Sequence, residues 1–184
     1  MKIEVKNTDW FSSKVFSFFV EENICDEINK IVDDENHLWN KGLLNVNAKT
    51  SNWDGLRYSP IKKLTELCVS DVLPYISKIN NFSYSNWYTE SAWINFYQTG
   101  DNSTIHHHFF NDFCAILITK CSENCLKFYS PMHIHGYKKP FETDNLIEKI
   151  NEKKGLFIFF PSYIYHSVSR CEKDRVSVAF NFVI

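Results

Sequence analysis

Five runs rich in β-branched and aromatic residues, 92–98, 113–120, 126–130, 156–160 and 176–183, follow one another along the second half of the 184-residue chain, separated by turns. Runs this short and this apolar are buried only when they pair, which commits the second half to an antiparallel sheet or a sandwich of sheets. The first half reads differently. Asn23 stands where a helix cap belongs, and Ile24, Ile28, Ile31, Val32 and Leu38 follow at the three-to-four spacing of one buried face. Ser59-Pro60 opens a second helix with the stripe Ile61, Leu64, Cys68, Val72, Ile76 and Ile79, and Pro74 is expected to bend or divide it. The expectation is one α+β, mainly β domain over 1–184, with a helical part at about 15–80 packed on one sheet of a β core at about 88–184. The long connection 131–155 is expected to hold a short helix at 144–154 and to act as a lid or a surface excursion.

Composition narrows the class of partner. With 16% aromatic residues and only 5 Gly and 5 Pro, the chain is neither disordered nor fibrous, and its length suffices for a sizeable core. The net charge is −2 and no Lys/Arg run exceeds a pair, so there is no electrostatic footprint for nucleic acid or for an acidic membrane surface. The opening segment MKIEVKNTDWFSSKVFSFFV lacks the apolar core and cleavage site of a secretory signal, and no stretch reads as a membrane span. A cytoplasmic location with six reduced cysteines is therefore expected. Cys121 and Cys125 with His133 and His135 can be read as a zinc site, but the pair brackets a polar turn at a spacing unlike the usual zinc patterns.

Three of the seven histidines are consecutive, in Thr104-Ile-His-His-His108. On a strand alternate side chains share a face, so His106 and His108 point together and His107 points away. Two such imidazoles can hold one metal ion, or they can form a solvated or core-capping cluster. A further histidine, His166, follows the apolar run that ends in Pro161-Ser162. Nine residues on, Arg175, Ser177, Ala179 and Asn181 share one face of an alternating strand, where the first two offer a fork and a hydroxyl to a carboxylate. A surface salt bridge with Glu172 or Asp174 is the plainer reading of Arg175.

The order HxH, distant His, then RxS resembles that of the Fe(II)- and 2-oxoglutarate-dependent oxygenases, and is more similar to a branch of that family common in phage and marine bacterial sequences that carries HxH in place of HxD. The resemblance extends over about 15–184 through Ser51-Asn-Trp-Asp-Gly55, Trp93-Ile-Asn-Phe-Tyr-Gln-Thr-Gly-Asp101, His106-His-His108, Leu126-Lys-Phe-Tyr-Ser-Pro131, the segment 155–166 and Arg175-Val-Ser-Val-Ala-Phe-Asn181. It implies a double-stranded β-helix (jelly roll) that uses Fe(II), 2-oxoglutarate and O₂ to hydroxylate a small-molecule or peptidyl substrate, with release of succinate and CO₂. It also implies His106, His108 and His166 as metal ligands and Arg175 and Ser177, with Tyr97 and Asn95 of an NxY element, around the cosubstrate. Asp112 and Asn181 are placed in support of the ligands. His108 departs from the family pattern, which has a carboxylate there. A three-His cupin-type dioxygenase without 2-oxoglutarate and a non-catalytic jelly-roll binding module are the alternatives, and Arg175 with Ser177 favours the first reading. Substrate choice is assigned to the loops 51–55 and 132–154; oligomeric state has no signature in the sequence.

Overall fold

The computed structural model describes residues 6–10, 13–42, 45–79, 86–108, 110–130 and 147–184. Strands β1 (Lys6–Trp10) and β2 (Ser13–Phe19) precede helix α1 (Glu22–Glu35). The short strands β3 (Asn40–Lys41), β4 (Val46–Asn47) and β5 (Lys49–Thr50) lead to α2 (Ser59–Leu67) and α3 (Leu73–Ile79). The second half supplies β6 (Tyr88–Tyr97), β7 (Asn102–His106), β8 (Phe113–Lys120), β9 (Leu126–Tyr129), β10 (Ile147–Lys149), β11 (Leu156–Pro161), β12 (Tyr165–Val168) and β13 (Arg175–Val183).

The strands form two antiparallel sheets, one in the order β1-β2-β11-β8-β13-β6-β5-β3 and one in the order β10-β9-β12-β7-β4. Alternation along β13 divides the protein into two cores. Val176, Val178, Phe180 and Phe182 pack with the helical residues Ile28, Val32, Ile61, Leu64 and Ile76 on the outer face of the large sheet. The opposite face meets the small sheet, where Ile116, Ile118, Phe128, Phe160 and Tyr97 form the second core. The strands of the large sheet are covered on both faces and so read as nearly continuous apolar runs.

Three expectations require correction. The first half is not purely helical: β2 pairs with β11, covering an edge that would otherwise expose unpaired backbone, and β1 pairs with β2. Gly155 permits the close approach at this seam, for its φ is +84° and a Cβ there would stand 2.6 Å from the Val20 carbonyl oxygen. The expected helix at 144–154 is absent where it is described: Ile147–Lys149 form β10, which pairs with β9, and the chain from Ile150 to Lys154 is irregular, with Ile150 and Glu152 both buried. Asn23 lies inside α1, which begins one residue earlier. The effect of Pro74 is as expected in kind. A π-type turn, Cys68–Val72, separates α2 from α3, with the Leu73 N–H bonded to the Cys68 carbonyl five residues back. His133 and His135, and with them the zinc and lid readings, lie outside the described residues.

Candidate active site

The two sheets face one another across a cavity, and each supplies one half of its chemistry. On the small sheet, β7 and β12 pair so that His166 stands opposite His106, and the chain leaving β7 turns His108 back beside them. The His108 N–H donates to the Ser162 carbonyl at 3.1 Å, which holds the turn in place. One ligand atom from each ring lies within 4.8 Å of the other two, so a single metal ion can reach all three. His107 leaves the cluster and packs its ring on Tyr165, with centroids 4.4 Å apart.

Each Nδ1 is occupied by an acceptor: the Thr104 carbonyl at 2.8 Å for His106, Asn181 Oδ1 at 2.7 Å for His108 and the Ile164 carbonyl at 3.2 Å for His166. When Nδ1–H donates, the lone pair remains on Nε2, the tautomer and ring direction a metal ligand needs. Burial also pushes all three pKa values down, that of His108 to about 4, so the rings are neutral and able to ligate at physiological pH. The Asn181 amide is fixed in turn by donating to Ser91 Oγ at 3.1 Å. Replacing Asn181 with alanine is expected to weaken metal binding by roughly 10–100-fold, the usual cost of an outer hydrogen-bond partner. A metal titration of the variant monitored by calorimetry checks this, and unchanged affinity would count against the role.

On the large sheet, β13 and β6 set Arg175 opposite Tyr97 and Ser177 opposite Asn95. Arg175 is fully buried. Its Nε donates to Glu152 Oε2 at 2.7 Å and its Nη1 to Ser177 Oγ at 3.0 Å, while the guanidinium lies 5.3 Å from the Tyr97 ring centre. Burial disfavours the charge, but Glu152 more than offsets that and raises the guanidinium pKa. Burial likewise pushes the Tyr97 hydroxyl up to about 12, so it stays protonated. Arg175 Nη2 and Asn95 Oδ1 have no hydrogen-bond partner among the described residues. A buried donor and acceptor left open beside a cavity are costly unless a ligand completes them. The cavity that these residues line also contains the three histidines.

Asp112 is not part of this arrangement: its carboxylate accepts the Ile184 N–H at 3.0 Å and ties down the end of β13, while Asn181 supports His108. Two features were missed by sequence reasoning. Glu152 was hidden in the expected helix, and nothing in its neighbourhood marks it as the partner of an arginine 23 residues away. The aromatic stack over the histidines was also missed: Trp93 lies parallel to His108 with centroids 5.8 Å apart, and Trp53 packs on Trp93 at 4.0 Å. Asn52 and Trp53 have φ of 52° and 66°, a conformation rare for a bulky residue, which marks this loop as strained beside the site. An outer cleft bordered by Trp53, Asn45, Thr50, Phe110 and Asn111 opens on His106 and His108.

Fold and histidine cluster together define a double-stranded β-helix with a group of three histidines between its sheets that could hold a metal ion. Within that class the likeness is to the 2OG-Fe(II) oxygenases: residues 91–181 match the family described as "Putative 2OG-Fe(II) oxygenase". Solved structures of this fold extend the likeness beyond the matched segment. A Pseudomonas putida prolyl-4-hydroxylase aligns with a TM-score of 0.67 at 11% identity, covering 99% of this chain and 93% of its own. A viral collagen prolyl hydroxylase from Paramecium Bursaria Chlorella virus-1, in complex with 2-oxoglutarate, gives 0.61 at 12%, covering 98% and 96%. HygX from Streptomyces hygroscopicus, with nickel and 2-oxoglutarate bound, gives 0.64 at 9%, covering 92% and 82%. No curated protein sequence matches the chain.

Proposed function

We propose that this oxygenase is a hydroxylase of a neutral peptidyl or small-molecule substrate, with His106, His108 and His166 as the Fe(II) ligands and Arg175 with Ser177 as the seat of the distal carboxylate of 2-oxoglutarate. The observation that carries the reading is the open Nη2 of the buried Arg175, on the wall of the cavity that the three histidines share. A three-His dioxygenase without a cosubstrate has no use for such a group. Bound iron and 2-oxoglutarate supply the oxidative chemistry, one oxygen atom of O₂ entering succinate and the other the substrate. The chain's own residues bind and orient. The Nδ1 acceptors aim the imidazoles, Ser177 and Tyr97 hold the guanidinium, and Asn95 Oδ1 offers an acceptor inside the cavity.

The substrate side is the outer cleft. None of the described residues lining it carries a formal charge, and Trp53, Trp93 and Phe110 give it an apolar surface flanked by the amides of Asn45 and Asn111. That lining supports a neutral group presented with hydrogen-bonding neighbours, as on a peptide, and disfavours a polyanion. The prolyl hydroxylases among the structural neighbours support the peptidyl choice. The six free cysteines suit a reducing compartment, which supports a cytoplasmic setting. Anaerobic addition of Fe(II) and then 2-oxoglutarate should produce a broad visible charge-transfer band that requires both. O₂ uptake with iron alone and no such band would overturn the assignment in favour of the cosubstrate-free enzyme.

A further inference from the structure

The family resemblance leads one to expect a carboxylate on the metal, and at His108 there is none. A carboxylate stands instead on Arg175, outside the set of residues that line the cavity. Glu152 and Arg175 are both 0% exposed in their side chains and 2.7 Å apart. Glu152 is itself held tightly: Oε1 accepts the Leu126 N–H at 2.6 Å, and its own N–H donates to Asn124 Oδ1 at 2.9 Å. Both carboxylate oxygens are thus engaged as acceptors, which a glutamine amide cannot reproduce, since one of its two ends only donates. Glu152 takes the Nε side of the guanidinium and leaves the Nη2 edge to the cavity, where Arg175 is the one charged side chain among the described lining residues.

The charge distribution has a consequence for what binds. Arg175 is already balanced by Glu152, so the distal end of a bound 2-oxo acid meets a neutral ion pair. A lone Arg175 would instead present it with an unpaired buried positive charge. We propose that Glu152 is the built-in counter-ion of the cosubstrate anchor, so that the subsite holds the distal group of a 2-oxo acid by the geometry of hydrogen bonds to Nη2 and its neighbours rather than by net charge. The anchor therefore also takes 2-oxo acids whose distal group is an uncharged planar acceptor such as an amide. The inference rests on the cosubstrate reading above and specifies the ligand class of that site.

The test uses full-length protein loaded with Mn(II) and two inert probes, N-oxalylglycine and its primary amide, N-oxalylglycinamide, which differ only in the distal group, a carboxylate in one and a neutral amide in the other. Wild-type protein is expected to bind both with affinities within about tenfold. In Glu152→Gln the preference for the charged probe rises at least tenfold, because a unit charge a few ångströms away acts strongly even at an effective dielectric constant of about 20. N-Oxalylglycine then also raises the melting temperature of the variant more than that of wild type. A residue that merely braced the β9 connection would lower the melting temperature and leave the preference between probes unchanged, and that result overturns the proposal. So does rejection of the amide by wild-type protein by more than tenfold, which can be read even if the variant does not fold. Mn(II) binding without binding of either probe would overturn the cosubstrate reading itself, an outcome distinct from the others.

Discussion

Replacement of His166 with alanine is expected to abolish Fe(II) binding while leaving the protein folded. Of the three rings His166 is the most enclosed, 4% exposed and set against Phe128 and Phe160 with centroids 6.0 and 5.1 Å away. It alone comes from β12, and it faces the other two across the β7–β12 register. Without it the site keeps two nitrogens from a single turn, no better than an exposed chelating pair. The loss should exceed the roughly 10–100-fold cost of removing an outer partner. The fold should tolerate the change, because the lost ring makes one local hydrogen bond, to Ile164, and lies outside the large core that joins the helices to the sheet. Added imidazole should restore part of the metal binding by entering the vacated space. Iron titration followed by calorimetry, with circular dichroism as the check on folding, decides the matter. Full affinity in the variant would remove His166 from the ligand set.

What could be read in advance depended on whether a signal was local. The strand runs of the second half were legible because both-face burial leaves continuous apolar stretches, and β8 begins and ends where its composition changes. Period-two alternation placed His106 and His108 together and His107 apart, and it set Arg175, Ser177 and Asn181 on the face of β13 that meets the small sheet. The N-terminal strands were missed because their role is to cover the edge of β11, a strand more than 130 residues later, and nothing within 6–19 announces that partner. Glu152 was missed for a similar reason. Its segment is too short and too polar to show a period, and its meaning resides in Arg175 and Leu126, which only the folded chain brings near. Asp112 misled through sequence proximity to His108, whereas Asn181, 73 residues away from it, makes the contact. The residues that the strand period aligns were thus visible, and those that complete them across sheets were not.

Substituting Arg175 with methionine is expected to produce two separable losses. The first is stability. Methionine fills much of the arginine volume but leaves Glu152 ionised and unpaired in a place with no solvent access, and breaking a buried pair from one side costs about 3–5 kcal/mol. For a chain of this size each kcal/mol lowers the melting temperature by roughly 2–4 °C, so a fall of about 10 °C is expected. Most of that cost is the stranded charge and not the missing contact, so the double variant Arg175→Met/Glu152→Gln should recover at least half of it. The glutamine oxygen can still accept the Leu126 N–H, and the amide end is a neutral group to bury. The second loss does not recover. Without Nη2 the cavity has no charged donor among its described lining residues, so both variants should bind Fe(II) at the histidines normally yet show no 2-oxoglutarate-dependent absorption band. Thermal unfolding measured beside anaerobic spectra separates the two effects. If the double variant is no more stable than the single one, the unpaired carboxylate is not the origin of the instability. If the single variant keeps the band, the distal carboxylate is held elsewhere, and the recovery of stability without recovery of the band is what ties Arg175 to the cosubstrate rather than to the fold alone.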